Sequence, residues 1–434
     1  MTMKQNERRG RELPRTFRKE TPRERREQLR ELLGGEDQEW RLLAPTEEVA
    51  DLSEVMVESA LGAMPVPLGV ASNILVDGRL YQVPMAVEEP SVIAAATYAG
   101  GLISRNGGFT TYASEPVMTG QVLLEEAPPE AEGAIEAGEE EILRAMAPHL
   151  DRMSRRGGGY LGLGLRRLPS SGRLLVELYV DVRDAMGANI INSAAEAARP
   201  VLERLTGGRA LMAILTNSAT RRVARARFEL PFHALRRGEI PGNEMAKRIV
   251  AANQFALEDR DRAVTHNKGI MNGVSSIVLA TGNDTRAVEA AAHAFAARSG
   301  AYRGLTRYEI EGEKLIGELE LPLALGTIGG ASSFHPVAIL AIRLLSLNLD
   351  HTITSQEMSR VAASVGLAQN LAAVSALVGE GIQKGHMRLH AKRIAWKAGA
   401  TGEEINPVAL AIWEGGRFNE EEAKRILAER RGSS

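Results

Sequence analysis

Cysteine is absent from all 434 residues of the chain. Its absence excludes disulfides, thiolate metal centres, iron–sulfur clusters and a cysteine nucleophile together, and it fits a reducing cytoplasm. An excess of charge is also missing: 53 basic residues against 55 acidic ones leave a net charge of -2. A chain so balanced is not expected to coat nucleic acid, and any polyanion it binds must be held locally. The N-terminus, Met1-Thr2-Met3-Lys4-Gln5-Asn6-Glu7-Arg8-Arg9, has no apolar signal-peptide core, and no unbroken apolar run reaches membrane-spanning length. These absences predict a soluble cytoplasmic protein with neither a membrane nor a nucleic-acid partner. What is present is enough chain for two or three domains with a substantial core.

The first thirty residues are rich in arginine, but Glu7, Glu12, Glu20, Glu24 and Glu27 are interleaved with it. Thr21-Pro22-Arg23-Glu24 has the form of a capping box with proline in the first turn, opening an amphipathic helix through Leu29, Leu32 and Leu33 to Gly34-Gly35. A docked helix is therefore expected rather than a polyanion-binding arm. Further on, Asp77-Gly78 predicts a turn, Leu80 to Pro84 a strand, and Pro90 to Ala96 the start of a helix. Glu88 and Glu89 then fall at a strand-to-helix junction, where an acidic residue serves by default as a partner of the helix dipole.

From about Tyr112 to Thr220 strand-like segments alternate with helices, the pattern of an inserted α+β module. Within it, Asp184-Ala185-Met186-Gly187-Ala188-Asn189 follows a strand and opens a helix through Asn192, Glu196 and Leu202. Backbone amides and the helix dipole can hold a phosphate in such a loop. The glycine-rich run Gly157 to Gly164 lacks the third glycine of the dinucleotide fingerprint, so a standard Rossmann domain is not expected; turns around a strand account for it equally well. From about Gln356 onward the pattern is helical, with a break between Gly379 and Gly385. His386 and His390 share a helical face, but no glutamate follows the first, and no metal site is expected.

The densest cluster of polar residues is Thr265-His266-Asn267-Lys268-Gly269-Ile270-Met271-Asn272-Gly273, followed by Ala280-Thr281-Gly282-Asn283-Asp284. Between them Ile277-Val278-Leu279 reads as a buried strand or a helix start. A lysine near apolar surroundings calls for an anion or a carboxylate, so Lys268 and Asp284 are a candidate functional charge pair. A structural ion pair beside a turn is the alternative.

Several segments, taken in order, resemble the class II, bacterial-type, 3-hydroxy-3-methylglutaryl-coenzyme A (HMG-CoA) reductases over nearly the whole chain. They are Phe17-Arg18, Pro84-Met85-Ala86-Val87-Glu88-Glu89-Pro90-Ser91, Asn106-Gly107-Gly108-Phe109-Thr110-Thr111, Asp181 to Asn189, His266-Asn267-Lys268-Gly269, Thr281-Gly282-Asn283-Asp284, Gly366-Leu367-Ala368-Gln369-Asn370 and Gly385-His386-Met387. A class I pattern would place the lysine where Ser193 stands, whereas here it lies in the His-Asn-Lys-Gly segment.

The resemblance implies an α+β fold: a helix-rich substrate domain from residues 1–112 and 221–380, an inserted small cofactor domain at 113–220 that is not a Rossmann fold, and a C-terminal helical flap at 381–434. It implies conversion of HMG-CoA to mevalonate and coenzyme A with two nicotinamide cofactors in succession, mevalonate degradation being the reverse direction. By the same resemblance Lys268 stabilises the thioester oxyanion, Asp284 holds that lysine, Glu89 delivers a proton, and His386 protonates the departing thiolate. Ser91, Arg262, Asn217, Asn272, Gln369 and Asn370 match substrate contacts. Asp184, Met186, Gly187, Ala188 and Asn189 match the cofactor loop.

Counting back from Gly157 puts Leu150 where NADH-selective relatives carry a ribose-gripping aspartate. With Arg152, Arg155 and Arg156 nearby, the expectation leans to NADPH over NADH. A homodimer with its active site at the subunit interface, or a larger assembly of dimers, is also implied. The competing readings are a non-redox thioester hydrolase or transferase, for which the chain offers no cysteine and no nucleophile elbow, and an inactive homologue that binds coenzyme A.

Overall fold

A computed structural model describes residues 16–33, 40–379, 381 and 383–432, with the side chains of residues 18, 32–33 and 383–389 outside that description. The chain divides into two compact units, Met1–Pro67 and Leu68–Ser434, so the segment 1–112 expected to act together straddles the division.

In the first unit the predicted capping box forms. Glu24 accepts from the Thr21 N–H at 2.8 Å and the Glu24 N–H donates to Thr21 Oγ1 at 3.3 Å, opening helix α1, Pro22–Leu33. Arg25 is buried, bonds the carbonyls of Phe17 and Ala60, and pairs with Glu54 on helix α2, Glu47–Met56. The described part of the arginine-rich segment is thus a docked helix; residues 1–15 lie outside the described residues.

The second unit begins with a hairpin of β1, Leu68–Val76, and β2, Arg79–Ala86. Asp77 and Gly78 turn it with φ of +47° and +80°, the conformation a two-residue hairpin loop requires. Helix α3, Val92–Ser104, follows β2, so Glu88 and Glu89 do stand at a strand-to-helix junction.

An antiparallel sheet of order β3-β8-β10-β9 comprises Thr110–Ala113, Val223–Pro231, Lys314–Pro322 and Thr306–Glu311. The other four-stranded sheet, of order β5-β6-β4-β7, comprises Gly159–Arg167, Leu174–Asp181, Val117–Glu125 and Arg209–Leu215. It packs with α4, Glu139–Ser154, and α5, Ala188–Thr206, around its own apolar core. The glycines of residues 157–164 enter and cross β5, so their structural reading holds.

The larger core joins the hairpin, α3 and the first of these sheets to α6, Gly242–Glu258, α7, Arg260–Ala280, α8, Thr285–Ala296, and α9, Ser355–Val378. Helices α10, Gln383–Lys397, α11, Ile405–Gly415, and α12, Glu420–Gly432, share a third core around Ala391, Val408, Ile412 and Leu427.

One expectation changes here. Ile277-Val278-Leu279 begins nothing; it is the end of the continuous helix α7. Ile270, Val274, Ile277 and Val278 are buried at helical spacing, and the polar residues and glycines between them mask that period when the triplet is read alone. Among the described residues α9 is long and apolar enough by composition to cross a membrane. Ser359, Ser364, Gln369 and Asn370 interrupt it, so no unbroken apolar run is visible, and the helix is mostly buried as the centre of the core.

Phe228 on β8 is 1% exposed and meets Phe109 edge-on at 6.3 Å and Tyr308 at 6.3 Å. Phe228→Ala is expected to cost about 3–5 kcal/mol, read as a lower denaturant midpoint; an unchanged midpoint would contradict the central place of this cluster.

Candidate active site

Glu89 and Lys268 are 179 residues apart in sequence and meet at 2.8 Å, carboxylate oxygen to ammonium. The folding of the β2–α3 junction against α7 brings them together. Two residues beyond Glu89, Ser91 takes a left-handed φ of +74° at the start of α3 and makes no side-chain capping bond there. A non-glycine residue in that region is strained, and such strain is concentrated at functional sites.

The residues preceding Lys268 fix its direction. Asn267 is 0% exposed; its amide donates to the Arg303 carbonyl at 2.8 Å and accepts from the Leu305 N–H at 2.9 Å. His266 is also buried, with Nε2 2.5 Å from Thr306 Oγ1 and 3.1 Å from Asn370 Nδ2. Thr306 reaches Asn253 on α6, and Tyr308 donates to Asn370 Oδ1 at 2.8 Å. Burial, with a smaller effect from the Arg262 charge, lowers the His266 pKa from the ordinary 6.5 to about 4. The ring is therefore neutral at pH 7. Sequence reading assigned His266 and Asn267 to a motif without roles; nothing in one sequence distinguishes a buried clamp from a ligand.

Three other side chains on α7 or packed against it have polar groups to spare. Asn272 lies one turn further on α7, half-buried, and Arg262, also half-buried, makes no side-chain hydrogen bond or ion pair among the described residues. Gln369 is 6% exposed with Oε1 lacking a partner, and its Cβ lies 3.1 Å from the position a Cβ would take at Gly273.

Asn370 is 1% exposed and committed to Tyr308 and His266, so its expected substrate contact is corrected to a place in the buried network that carries α7. The Lys268–Asp284 pair is also corrected for a single chain. Asp284 caps α8 by accepting from Ala287 N–H at 3.1 Å and lies 3.8 Å from Arg286, while Lys268 pairs with Glu89. The helical stretch from Lys268 to Ala280 separates them by about 18 Å of axis.

The predicted loop after β6 opens α5. Gly187 has φ +98°, and a Cβ there would stand 2.7 Å from Val182 Cγ1, so glycine is required. No side-chain cap occupies the helix start, leaving first-turn amides available beside exposed Asn189 and half-buried Met186 and Ala188. These residues fit an anionic cofactor. Asp184 is partly committed, accepting from the Ser355 N–H at the start of α9 at 2.8 Å.

Leu150 is corrected outright: at 1% exposure it packs inside the smaller core, facing away from any ligand. Asp151 is exposed and paired with Arg155, whereas Arg152 and Arg156 make no ion pair among the described residues. Asn217 is exposed on the same module, and no hydrogen bond or ion pair among the described residues joins it to Lys268. The His386 side chain lies outside the described residues. Its helix α10 reaches the site elsewhere, through Arg393, which donates to the Glu88 carbonyl at 3.1 Å.

The chain matches a family model described as hydroxymethylglutaryl-coenzyme A reductase over residues 21–391. It is 40% identical over 409 residues to the 3-hydroxy-3-methylglutaryl-coenzyme A reductase of Archaeoglobus fulgidus, covering 93% of this chain and 91% of that protein. A probable reductase of the same name from Borreliella burgdorferi is 36% identical over 339 residues, 78% of this chain and 77% of its own. Among solved structures, the 3-hydroxy-3-methylglutaryl-coenzyme A reductase of Streptococcus pneumoniae superposes with a TM-score of 0.73 at 38% identity, covering 96% of this chain and 99% of that one. Another structure from that organism, described as the class II enzyme bound to NADPH in open conformations, also gives 0.73 at 38% identity, covering 84% and 99%.

The buried imidazole makes stability depend on pH in a definite direction. Below pH 6.5 the unfolded chain takes up a proton at His266 that the folded chain refuses until about pH 4, so this contribution falls as pH falls through that window and is constant above it. Urea titrations should show a loss of about 2 kcal/mol from this group between pH 7.5 and 5. His266→Gln should flatten that slope; parallel slopes for both proteins would remove the assignment.

Proposed function

Because the chain belongs to the hydroxymethylglutaryl-coenzyme A reductase family, in its class II branch, we propose that it converts HMG-CoA to mevalonate and coenzyme A by two successive hydride transfers. The observation that carries the site assignment is the Glu89–Lys268 pair, assembled from distant segments at 2.8 Å. When bound, the reduced nicotinamide supplies the hydride. Lys268 stabilises the oxyanion left on the thioester carbonyl, since a fixed cation favours developing negative charge. Glu89, in hydrogen-bond reach of Lys268, returns a proton as the aldehyde becomes the alcohol. His386 protonates the thiolate of coenzyme A, in the range where imidazole exchanges protons, as α10 closes over the site. Arg262, Ser91, Asn272, Gln369 and Asn217 hold the hydroxymethylglutaryl group; the unpaired guanidinium of Arg262 suits its free carboxylate.

The module at 113–220 is the cofactor domain and 381–434 the flap. Asp184, Met186, Gly187, Ala188 and Asn189 hold the nicotinamide cofactor, and the unpaired Arg152 and Arg156 favour the 2'-phosphate of NADPH. A hydrolase or transferase reading has neither a cysteine nor a nucleophile-elbow motif to support it.

Asp284 acts on Lys268 of a second copy of the chain. The support is geometric: in one chain the last three turns of α7 separate the two, so a shared site needs a homodimer. Lys268→Ala and Asp284→Ala should each be inactive. After subunit exchange, a one-to-one mixture should regain roughly a quarter of wild-type activity, because half the dimers then carry one intact site. A mixture that stays inactive despite proven exchange would place both residues on one chain.

Following absorbance of the reduced cofactor with HMG-CoA present tests the activity itself. NADPH should give a kcat/KM at least about tenfold above NADH. A preference for NADH would overturn the role given to the arginines, and no oxidation of either would overturn the function.

A further inference from the structure

The loop assigned to the cofactor is braced from behind by residues to which the reaction gives no part. Segment 325–328 runs along it: the Thr327 N–H donates to the Asp184 carbonyl at 2.8 Å, and Ala185 and Ile328 form an isolated parallel bridge. Contact is closest at Gly326, where a Cβ would stand 2.4 Å from the Met186 nitrogen and 3.0 Å from the Ala185 carbonyl carbon. Both are backbone atoms, so they can yield only if the loop moves.

Gly326 is itself clamped. The Asn283 amide donates to the Gly326 carbonyl at 3.0 Å and accepts from the Gly326 N–H at 2.7 Å. Arg222, 4% exposed, completes the frame by donating to the carbonyls of Ala185, at 3.1 Å, Met186, at 3.3 Å, and Leu325. A buried cation facing three carbonyls leaves the opposite, amide-bearing side of the loop for an anion.

We infer that Asn283 and Gly326, with Arg222, are positioning residues that set the cofactor loop for the nicotinamide dinucleotide and take no part in holding the thioester. The inference rests on the reading that residues 184–189 hold that cofactor. Asn283 has a second significance: it immediately precedes the Asp284 cap of α8, so one turn of chain anchors the cofactor loop and carries a residue of the catalytic group.

Gly326→Ala and Asn283→Ala disturb the same contact from opposite sides, one by adding bulk and one by removing the clamp. Each should raise the Kd for NADPH, titrated by its own fluorescence, about tenfold. The KM for HMG-CoA at saturating NADPH should stay within about twofold of wild type. The double variant should be little worse than the poorer single one, since both act through one contact. If Gly326→Ala does not fold, Asn283→Ala, which only removes atoms, carries the test.

Unchanged NADPH affinity in the folded variants, or an equal loss for both ligands, would overturn the inference. Asn189→Trp, which places bulk at the exposed start of α5, tests the underlying reading separately. If NADPH binds that variant normally, the loop is not the cofactor site and both ideas fall. If Asn189→Trp weakens NADPH binding while Gly326→Ala and Asn283→Ala do not, only the brace is wrong.

Discussion

Asn267 spends both ends of its amide on the backbone entering β9, and His266 beside it reaches Thr306 on the same strand. Two consecutive buried polar residues on one helix fix both its height and its rotation, because neither can be satisfied if the helix slides or turns. Lys268 follows by helical geometry, one residue further round and therefore facing outward, toward the β2–α3 junction. The ion pair with Glu89 is a consequence of that setting. An exposed lysine on a freely rotating helix would gain little from a carboxylate. The same network reaches α6 through Asn253 and α9 through Asn370, so four elements share responsibility for the direction of one ammonium group.

The smaller core is organised on a different principle. Its sheet and helices are held by ordinary apolar burial, while the irregular turn at residues 182–187 is tied outward to the start of α9 and to segment 325–328. The loop holds itself with the Arg183 and Ala185 N–H groups, which donate to Asp181 Oδ1 and the Val182 carbonyl, while its carbonyls and one carboxylate carry the outward attachment. Arg222 is suited to that task because a guanidinium offers several donors in one plane and tolerates burial better than an ammonium.

What could be read from the sequence was local. The Thr21–Glu24 box, the Asp77-Gly78 turn, the junction at Glu88-Glu89 and the strand–loop–helix at Asp184 each depend on a few neighbouring residues, and each formed as expected. The errors share a cause of another kind. Leu150 was placed by counting along the chain, but a helix rotates 100° per residue, and a one-residue displacement separates a surface aspartate from a core leucine. Asn370 belonged to a recognisable segment whose buried partners, Tyr308 and His266, come from 62 and 104 residues away. Lys268 and Asp284 are close in sequence, yet within one chain an intervening stretch of helix holds them apart, so their pairing calls for a second copy. Proximity along a chain says least where a long straight element intervenes.

Ser91 carries the remaining consequence. Its left-handed backbone costs a β-carbon residue on the order of 1 kcal/mol, which glycine would avoid and asparagine or aspartate would reduce. Random substitution therefore has an easy route to a more stable protein at this position. A serine persists there only if its hydroxyl is worth more than the relief, so the tolerance of position 91 to exchange measures directly what that hydroxyl contributes.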